Sequence, residues 1–324
     1  MKIVECVSEI YDVKLRETFK TALREIDSFK VFQIRILDSQ GNVGIGECVA
    51  TPAIVKDNFE DFQSIFDNKI RERVLNGREE EVAQLEIWPS IKSALDCALE
   101  NLSEPNQDLN IASDVTLPVC EVNAIEGLLK TRIDAGFTVI KVKLDNRALA
   151  ENIERTRFIS EIVEAKATIR IDPNQAWEAA YSIEYMEKLA QFGIEIEYLE
   201  QPVSANDIQG LKEVREAGIY EVMADEACFN LDDARRLIDL QACDWINIKL
   251  LKSGGLSEAR RIANLCKDSG MKVSVGSMLE SPHGVIASMK LAHEIAPHLV
   301  HDLDAGWWYP STLLTYVDGK LSTP

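Results

Sequence analysis

A chain of 324 residues is too long for one small core and long enough for a large barrel with a smaller domain beside it. Its 46% hydrophobic and 27% charged residues are those of an ordinary globular protein, and a net charge of −19 excludes a surface built to neutralise nucleic-acid phosphates. No run of 18 apolar residues and no signal-peptide-like apolar segment occurs, so the expectation is a cytoplasmic protein with no membrane partner.

Residues 1–50 predict antiparallel strands over Lys2–Val13, Lys30–Leu37 and Val43–Val49, with a turn at Asp38–Asn42 and a polar, interrupted stretch at Thr18–Arg24. From Val55 to Leu102 the pattern becomes helical. Val82–Trp88 and Ile91–Leu102 carry apolar residues at three- and four-residue spacings, and Pro89 marks the start of the second helix. Ser103–Asp108, polar and containing Pro105, predicts a linker. Beyond it, short apolar strands recur at Pro118–Asn123, Thr138–Leu144, Thr168–Asp172, Ile196–Glu200, Glu221–Asp225, Trp245–Leu250, Lys272–Ser277 and Leu299–Asp304. Amphipathic stretches at Asn152–Ala165, Ala179–Gln191, Ala205–Ala217, Leu231–Leu240 and Ser257–Asp268 fill most of the gaps. Tandem βα units of this kind predict an α/β fold, a (β/α)-barrel over residues 116–305, with an α+β capping domain over residues 1–115.

Active sites of such barrels lie at the C-terminal ends of the strands. There the sequence places Lys141 and Lys143, then Asp172 followed by Asn174, then Glu200, then Asp225 followed by Glu226, then Asn247 and Lys249, then Ser277 and Met278, then Asp302 and Asp304. Two lysines at i and i+2 of a strand share a face. Alone they fit an exposed edge strand as well as a buried site. Asp172, Glu200 and Asp225, from three consecutive strands, repel one another unless a cation joins them, and an all-oxygen set suits Mg²⁺. Strands two and six of a closed barrel lie roughly opposite, so Lys143 and Lys249 would face each other across the mouth. A carbon acid between them, its carboxylate on the metal, would lose a proton to one lysine and regain one from the other through an enediolate. Burial, metal charge and Lys141 are expected to lower the lysine pKa values. The seven cysteines (Cys6, Cys48, Cys97, Cys120, Cys228, Cys243 and Cys266) are odd in number, scattered and without a CxxC pair, as expected of reduced thiols. The four histidines lack zinc-hydrolase spacing.

The succession KxK, DxN, EQP, ADE and NIK resembles the enolase superfamily, in its muconate-lactonising branch. That resemblance spans essentially the whole chain. It implies an enolase-type modified TIM barrel whose cap is completed by the tail 306–324, with Mg²⁺ held by Asp172, Glu200 and Asp225. Lys143 and Lys249 are then the acid/base pair, with Lys141 as electrostatic helper. Asp302-Leu303-Asp304 resembles the DxD signature of dipeptide epimerases, which binds the substrate's free α-amino group. Phe19–Arg24 is similar to the specificity loop of the L-Ala-D/L-Glu epimerase group, which places Arg24 on a glutamyl carboxylate. The implied substrate is a dipeptide with an acidic second residue, in murein peptide metabolism; a homo-oligomer is compatible with the resemblance.

Three departures bear on which dipeptide is preferred. Asp304-Ala305-Gly306-Trp307-Trp308 replaces a more usual proline-containing continuation, so the tryptophans either alter the wall beside the amino-terminal residue or pack the cap. Strand one, Val119–Asn123, lacks the threonines and serines frequent in relatives, and the cap lacks a long glycine-rich segment. Two other readings stand beside dipeptide epimerisation. One is an o-succinylbenzoate synthase or cycloisomerase, which needs the metal and lysines but no ammonium clamp. The other is a non-catalytic ligand-binding barrel, which needs neither lysine.

Overall fold

The computed structural model describes residues 2–104 and 108–324. Pro105, Asn106 and Gln107 of the predicted linker lie outside the described residues. The cap opens with a three-stranded antiparallel sheet, β1 (Ile3–Lys20), β2 (Glu25–Asp38) and β3 (Val43–Cys48), in that order. The stretch Thr18–Arg24 is therefore the end of a long strand and a tight hairpin tip rather than a break between strands. Thr21 N–H bonds to the Arg24 carbonyl across the tip.

Helices α1 (Phe59–Ile65), α2 (Arg71–Leu75), α3 (Glu80–Ala83) and α4 (Pro89–Ser103) complete the cap. Proline is tolerated at the first turn of α4 because the N–H it lacks would be unpaired there anyway. The helix predicted over Val82–Trp88 is not formed; α3 ends at Ala83 and the chain turns into α4. Phe32, Ile34 and Ile36 of β2 alternate inward against Phe62, Phe66, Ile91 and Ala94, forming a cap core of its own.

The barrel sheet is parallel and has seven strands. They are β5 (Val115–Leu117), β6 (Val139–Lys143), β7 (Thr168–Asp172), β8 (Tyr198–Glu200), β9 (Glu221–Ala224), β10 (Trp245–Lys249) and β11 (Lys272–Gly276), adjacent in chain order. The first strand is thus earlier than Pro118–Asn123, because Pro118 cannot donate to a ladder and helix α5 (Val122–Asp134) starts at once. The predicted eighth strand is reduced to two parallel bridges, Gly276 to Asp302 and Ser113 to His301, which join β11 to the chain beside β5 and close the ring. His301, buried, fixes this seam: its Nδ1 accepts from Val275 N–H and its Nε2 donates to the Ala296 carbonyl, both at 3.0 Å.

Helices α6 (Leu149–Val163), α7 (Ala179–Gln191), α8 (Ile208–Glu216), α9 (Leu231–Leu240), α10 (Leu250–Ser253), α11 (Leu256–Ser269) and α12 (Pro282–Ile295) surround the sheet. None of the described helices is long and apolar enough to cross a membrane. A second small sheet joins β12 (Thr315–Val317) and β13 (Lys320–Ser322) to β4 (Asn110–Ala112). Leu314 and Leu321 from this tail bury with the barrel residues, whereas Leu15 and Phe19 of β1 pack on Leu279, Trp308 and Tyr309 across the seam between cap and barrel.

Candidate active site

Every side chain singled out at the strand ends, from Lys141 to Asp304, is buried. On β6 the i, i+2 rule holds, and both lysines enter the ring. Lys141 Nζ lies 2.9 Å from Glu200 Oε1, 2.9 Å from Asp302 Oδ2 and 3.2 Å from Asp172 Oδ2. Lys143 Nζ donates to Asp172 Oδ2 at 2.5 Å. Across the ring, Lys249 Nζ donates to Asp225 Oδ2 at 2.7 Å and lies 3.5 Å from Asp302 Oδ2. Gly276 permits this: a Cβ there would stand 2.6 Å from Lys249 Cε and 2.5 Å from Asn247 Oδ1.

Neighbouring residues orient the carboxylates. Asn174 N–H donates to Asp172 Oδ1 at 2.8 Å, and its side chain donates to Glu226 Oε1 at 3.2 Å. Asn247 Nδ2 donates to Glu200 Oε1 at 3.1 Å and to Asp302 Oδ2 at 3.0 Å. Two residues here were not foreseen. Gln201 Oε1 accepts from the N–H groups of Asp225 and Ala227, both at 3.0 Å, and shapes the loop after β9. Lys252, buried in α10, donates from Nζ to Asp225 Oδ1 at 2.6 Å and to the carbonyls of Asn247 and Asp225. A lysine inside the apolar run Leu250-Leu251-Lys252, one helical turn from Lys249, was the available signal. Asn174, Gln175 and Gln201 have φ of 46°, 68° and 34°, so the backbone after β7 and β8 is held in a conformation non-glycine residues rarely adopt.

The facing carboxylates set the charge of two of the lysines. Burial alone would lower the pKa of Lys141 and Lys249, but the facing carboxylates, Asp302 first for Lys141 and Asp225 first for Lys249, outweigh it and hold both ammonium groups up. The carboxylates pay unequal electrostatic costs: burial and mutual repulsion push Glu200 up to about 7 despite Lys141, whereas Lys249 and Lys252 overcome burial to hold Asp225 far down.

The oxygen-rich donor set fits a hard divalent cation. Asn174 Oδ1, Glu226 Oε2 and Asn247 Oδ1 are buried beside the three carboxylates without a hydrogen-bond donor. In the arrangement described, lysine ammonium groups compensate the carboxylates, and no three His, Cys, Asp or Glu side chains among the described residues are already gathered as a metal-binding group.

Lys141, Lys143 and Lys249 line one cavity of about 40 Å³ with Phe19, Thr116, Ser277, Met278, Asp302 and Asp304. Clefts of about 490 and 540 Å³ lie elsewhere and contain none of these residues. The two aspartates of the DxD differ. Asp302 is compensated by Lys141 and Lys249. Among the described residues Asp304 meets only neutral donors: the Thr116 N–H at 2.7 Å, the Thr116 hydroxyl and the Trp308 indole N–H at 3.1 Å. Burial and Asp302 together push its carboxyl up. Ser277 is turned to the backbone, its N–H donating to the Asp302 carbonyl at 2.8 Å.

Arg24 is not among the residues lining this cavity. It is half-buried at the hairpin tip, and no hydrogen bond or ion pair reaches its guanidinium from the described residues. Burial lowers its pKa, with Asp57 opposing.

Residues 124–323 match the family described as Enolase C-terminal domain-like. The L-Ala-D/L-Glu epimerase of Clostridium acetobutylicum is 32% identical over 314 residues, covering 90% of this chain and 87% of that protein. The substrate-liganded L-Ala-D/L-Glu epimerase of Bacillus subtilis superposes with a TM-score of 0.94 at 27% identity, over all of this chain and 97% of the other. A dipeptide epimerase of Enterococcus faecalis, complexed with Mg and L-Leu-L-Tyr, superposes at 0.90 with 28% identity, over all of this chain and 98% of the other.

Proposed function

The chain belongs to the enolase superfamily, among its dipeptide epimerases, and from that premise we propose that it is a Mg²⁺-dependent epimerase of dipeptides with an acidic second residue, L-Ala-D/L-Glu foremost. One observation carries the reading: Lys143 and Lys249, from strands four places apart in the sheet order, face the same cavity as Asp304, a buried carboxylate without a cation among the described residues. A substrate ammonium would supply the missing charge at Asp304, which places the amino-terminal residue at that end. The second residue's α-carbon would then lie between the lysines, with its carboxylate towards Asp172, Glu200 and Asp225.

These three carboxylates are the residues we assign to Mg²⁺, backed by Asn174, Glu226 and Asn247. When bound, the ion supplies positive charge to the substrate carboxylate as its α-carbon becomes electron-rich. Lys143 and Lys249 hold and move the proton. One takes it from the α-carbon and the other returns it to the opposite face, which inverts the centre. Lys141, fixed by Glu200 and Asp302, contributes positive charge beside Lys143. Ser277 and Met278 form the floor next to Lys249. Arg24, whose guanidinium has no hydrogen-bond or ion-pair partner among the described residues, is assigned to the side-chain carboxylate of the second residue. A cycloisomerase or o-succinylbenzoate synthase would leave Asp304 without a counter-charge.

The test is incubation with MgCl₂ and L-Ala-L-Glu in D₂O, followed by NMR. Loss of the glutamyl α-proton signal with growth of L-Ala-D-Glu is expected. An untouched α-proton, with turnover of hydrophobic dipeptides instead, would reject the acidic specificity. Turnover of no dipeptide would reject the epimerase reading.

A further inference from the structure

Asp304 is held by a residue that plays no part in moving the proton. Trp308 ends the short 3₁₀ turn Asp304–Trp308 and is only 1% exposed. Its indole N–H donates to Asp304 Oδ2 at 3.1 Å, the oxygen that also accepts the Thr116 N–H at 2.7 Å. Phe19, at the end of β1, packs edge-on against the indole with centroids 4.8 Å apart. The Arg132 guanidinium of α5 lies 5.4 Å from the ring; its Nε donates to the Thr116 carbonyl at 2.8 Å and its Nη2 to Glu17 Oε1 at 3.1 Å. Arg16 of β1 adds a bond to the Trp307 carbonyl at 3.1 Å. Thr116, Asp304, Trp308 and Arg132 thus form a closed ring of contacts, and the arm that carries Arg24 at its tip is tied to that ring through Arg16, Glu17 and Phe19.

We propose that Trp308 is the positioning residue of the ammonium clamp. Its N–H fixes the Asp304 carboxylate towards the cavity, and its ring makes that orientation depend on the seating of the cap hairpin. Recognition of the substrate's amino end is thereby coupled to the arm that recognises the acidic side chain. The inference rests on the reading of Asp304 as the ammonium site.

The experiment compares L-Ala-L-Glu with propionyl-L-glutamate, which keeps the shape but lacks the ammonium, in wild type and in Trp308→Phe with saturating MgCl₂. Trp308→Phe keeps an aromatic ring against Phe19 and removes the indole N–H. The ratio of kcat/KM for the amine substrate over the des-amino one should fall about tenfold, mostly through KM, the loss of one hydrogen bond to a charged group. Equal losses for both substrates, leaving the ratio unchanged, would mean that Trp308 only packs the seam and would overturn the proposal. A wild type that does not discriminate the two substrates would overturn the ammonium reading itself, and this inference with it. Should Trp308→Phe fail to fold, Phe19→Leu supplies the second arm. It leaves the N–H but removes the edge-on ring, and the same ratio should fall about threefold; an unchanged ratio there also overturns the proposal.

Discussion

The site balances charge residue by residue. The three carboxylates proposed for Mg²⁺ are compensated by Lys141, Lys143, Lys249 and Lys252; the first three of these line the cavity, and Lys143 and Lys249 are the proposed proton carriers. A lysine that accepts a proton must first be neutral, which requires other positive charge on Asp172 and Asp225. Lys252 differs from Lys249 in facing Asp225 from the outer side and in lining no part of the cavity, so its task is to hold that carboxylate. Replacing it should disturb the metal more than the proton transfer. Lys252→Met is expected to weaken Mg²⁺ binding by about 10- to 100-fold, measured by calorimetry on the otherwise intact protein; unchanged affinity would remove Lys252 from the metal's support. The sequence displayed the carboxylates and the paired lysines because their spacing on strands is periodic. For Lys252 it offered only the one-turn spacing from Lys249, and only the fold shows what that lysine touches.

Elements place these side chains, and the strand ends were legible wherever a strand is continuously apolar. β7 and β10 lie within a residue of their predicted limits, and α7 and α9 match theirs. Strand one was misplaced by Pro118, and the eighth strand is two bridges, because pairing at the closing seam depends on residues far apart in sequence. His301 at that seam adds a pH dependence. Burial pushes its pKa from 6.5 down to about 4, against the Ala296 carbonyl, which favours the protonated ring, and with help from the Arg170 charge. The folded state therefore refuses a proton that the unfolded state accepts. The stabilisation is complete above pH 6.5 and is lost as pH falls towards about 4. A shift of that size corresponds to about 3 kcal/mol. Urea titrations between pH 7 and 4 should show a decline that His301→Gln reduces, beyond what the carboxylates contribute; the same decline in both proteins would assign it elsewhere.

For the whole molecule, the proposed function divides labour between cap and barrel. In the proposed function the barrel strand ends supply the reacting groups, while the β1–β2 hairpin carries Arg24 at its tip and packs Leu15 and Phe19 on Trp308 and Tyr309. The hairpin was half legible: its strands show alternation, but its tip looks like an interruption because polar residues there face no core. Arg24→Ala is expected to raise KM for L-Ala-L-Glu by about 10- to 100-fold while changing that for a neutral dipeptide little. Equal losses for both would take Arg24 out of specificity.

Two opposed lysines are the centre of the account, and α-proton exchange in D₂O with each epimer separately tests them most directly. Lys143→Ala and Lys249→Ala should each abolish epimerisation, by on the order of 10²–10⁴ or more. Each should retain wash-in of deuterium from one epimer only, L-Ala-L-Glu for one variant and L-Ala-D-Glu for the other. Exchange of both epimers in either variant, or epimerisation surviving the loss of one lysine, would contradict a two-base mechanism.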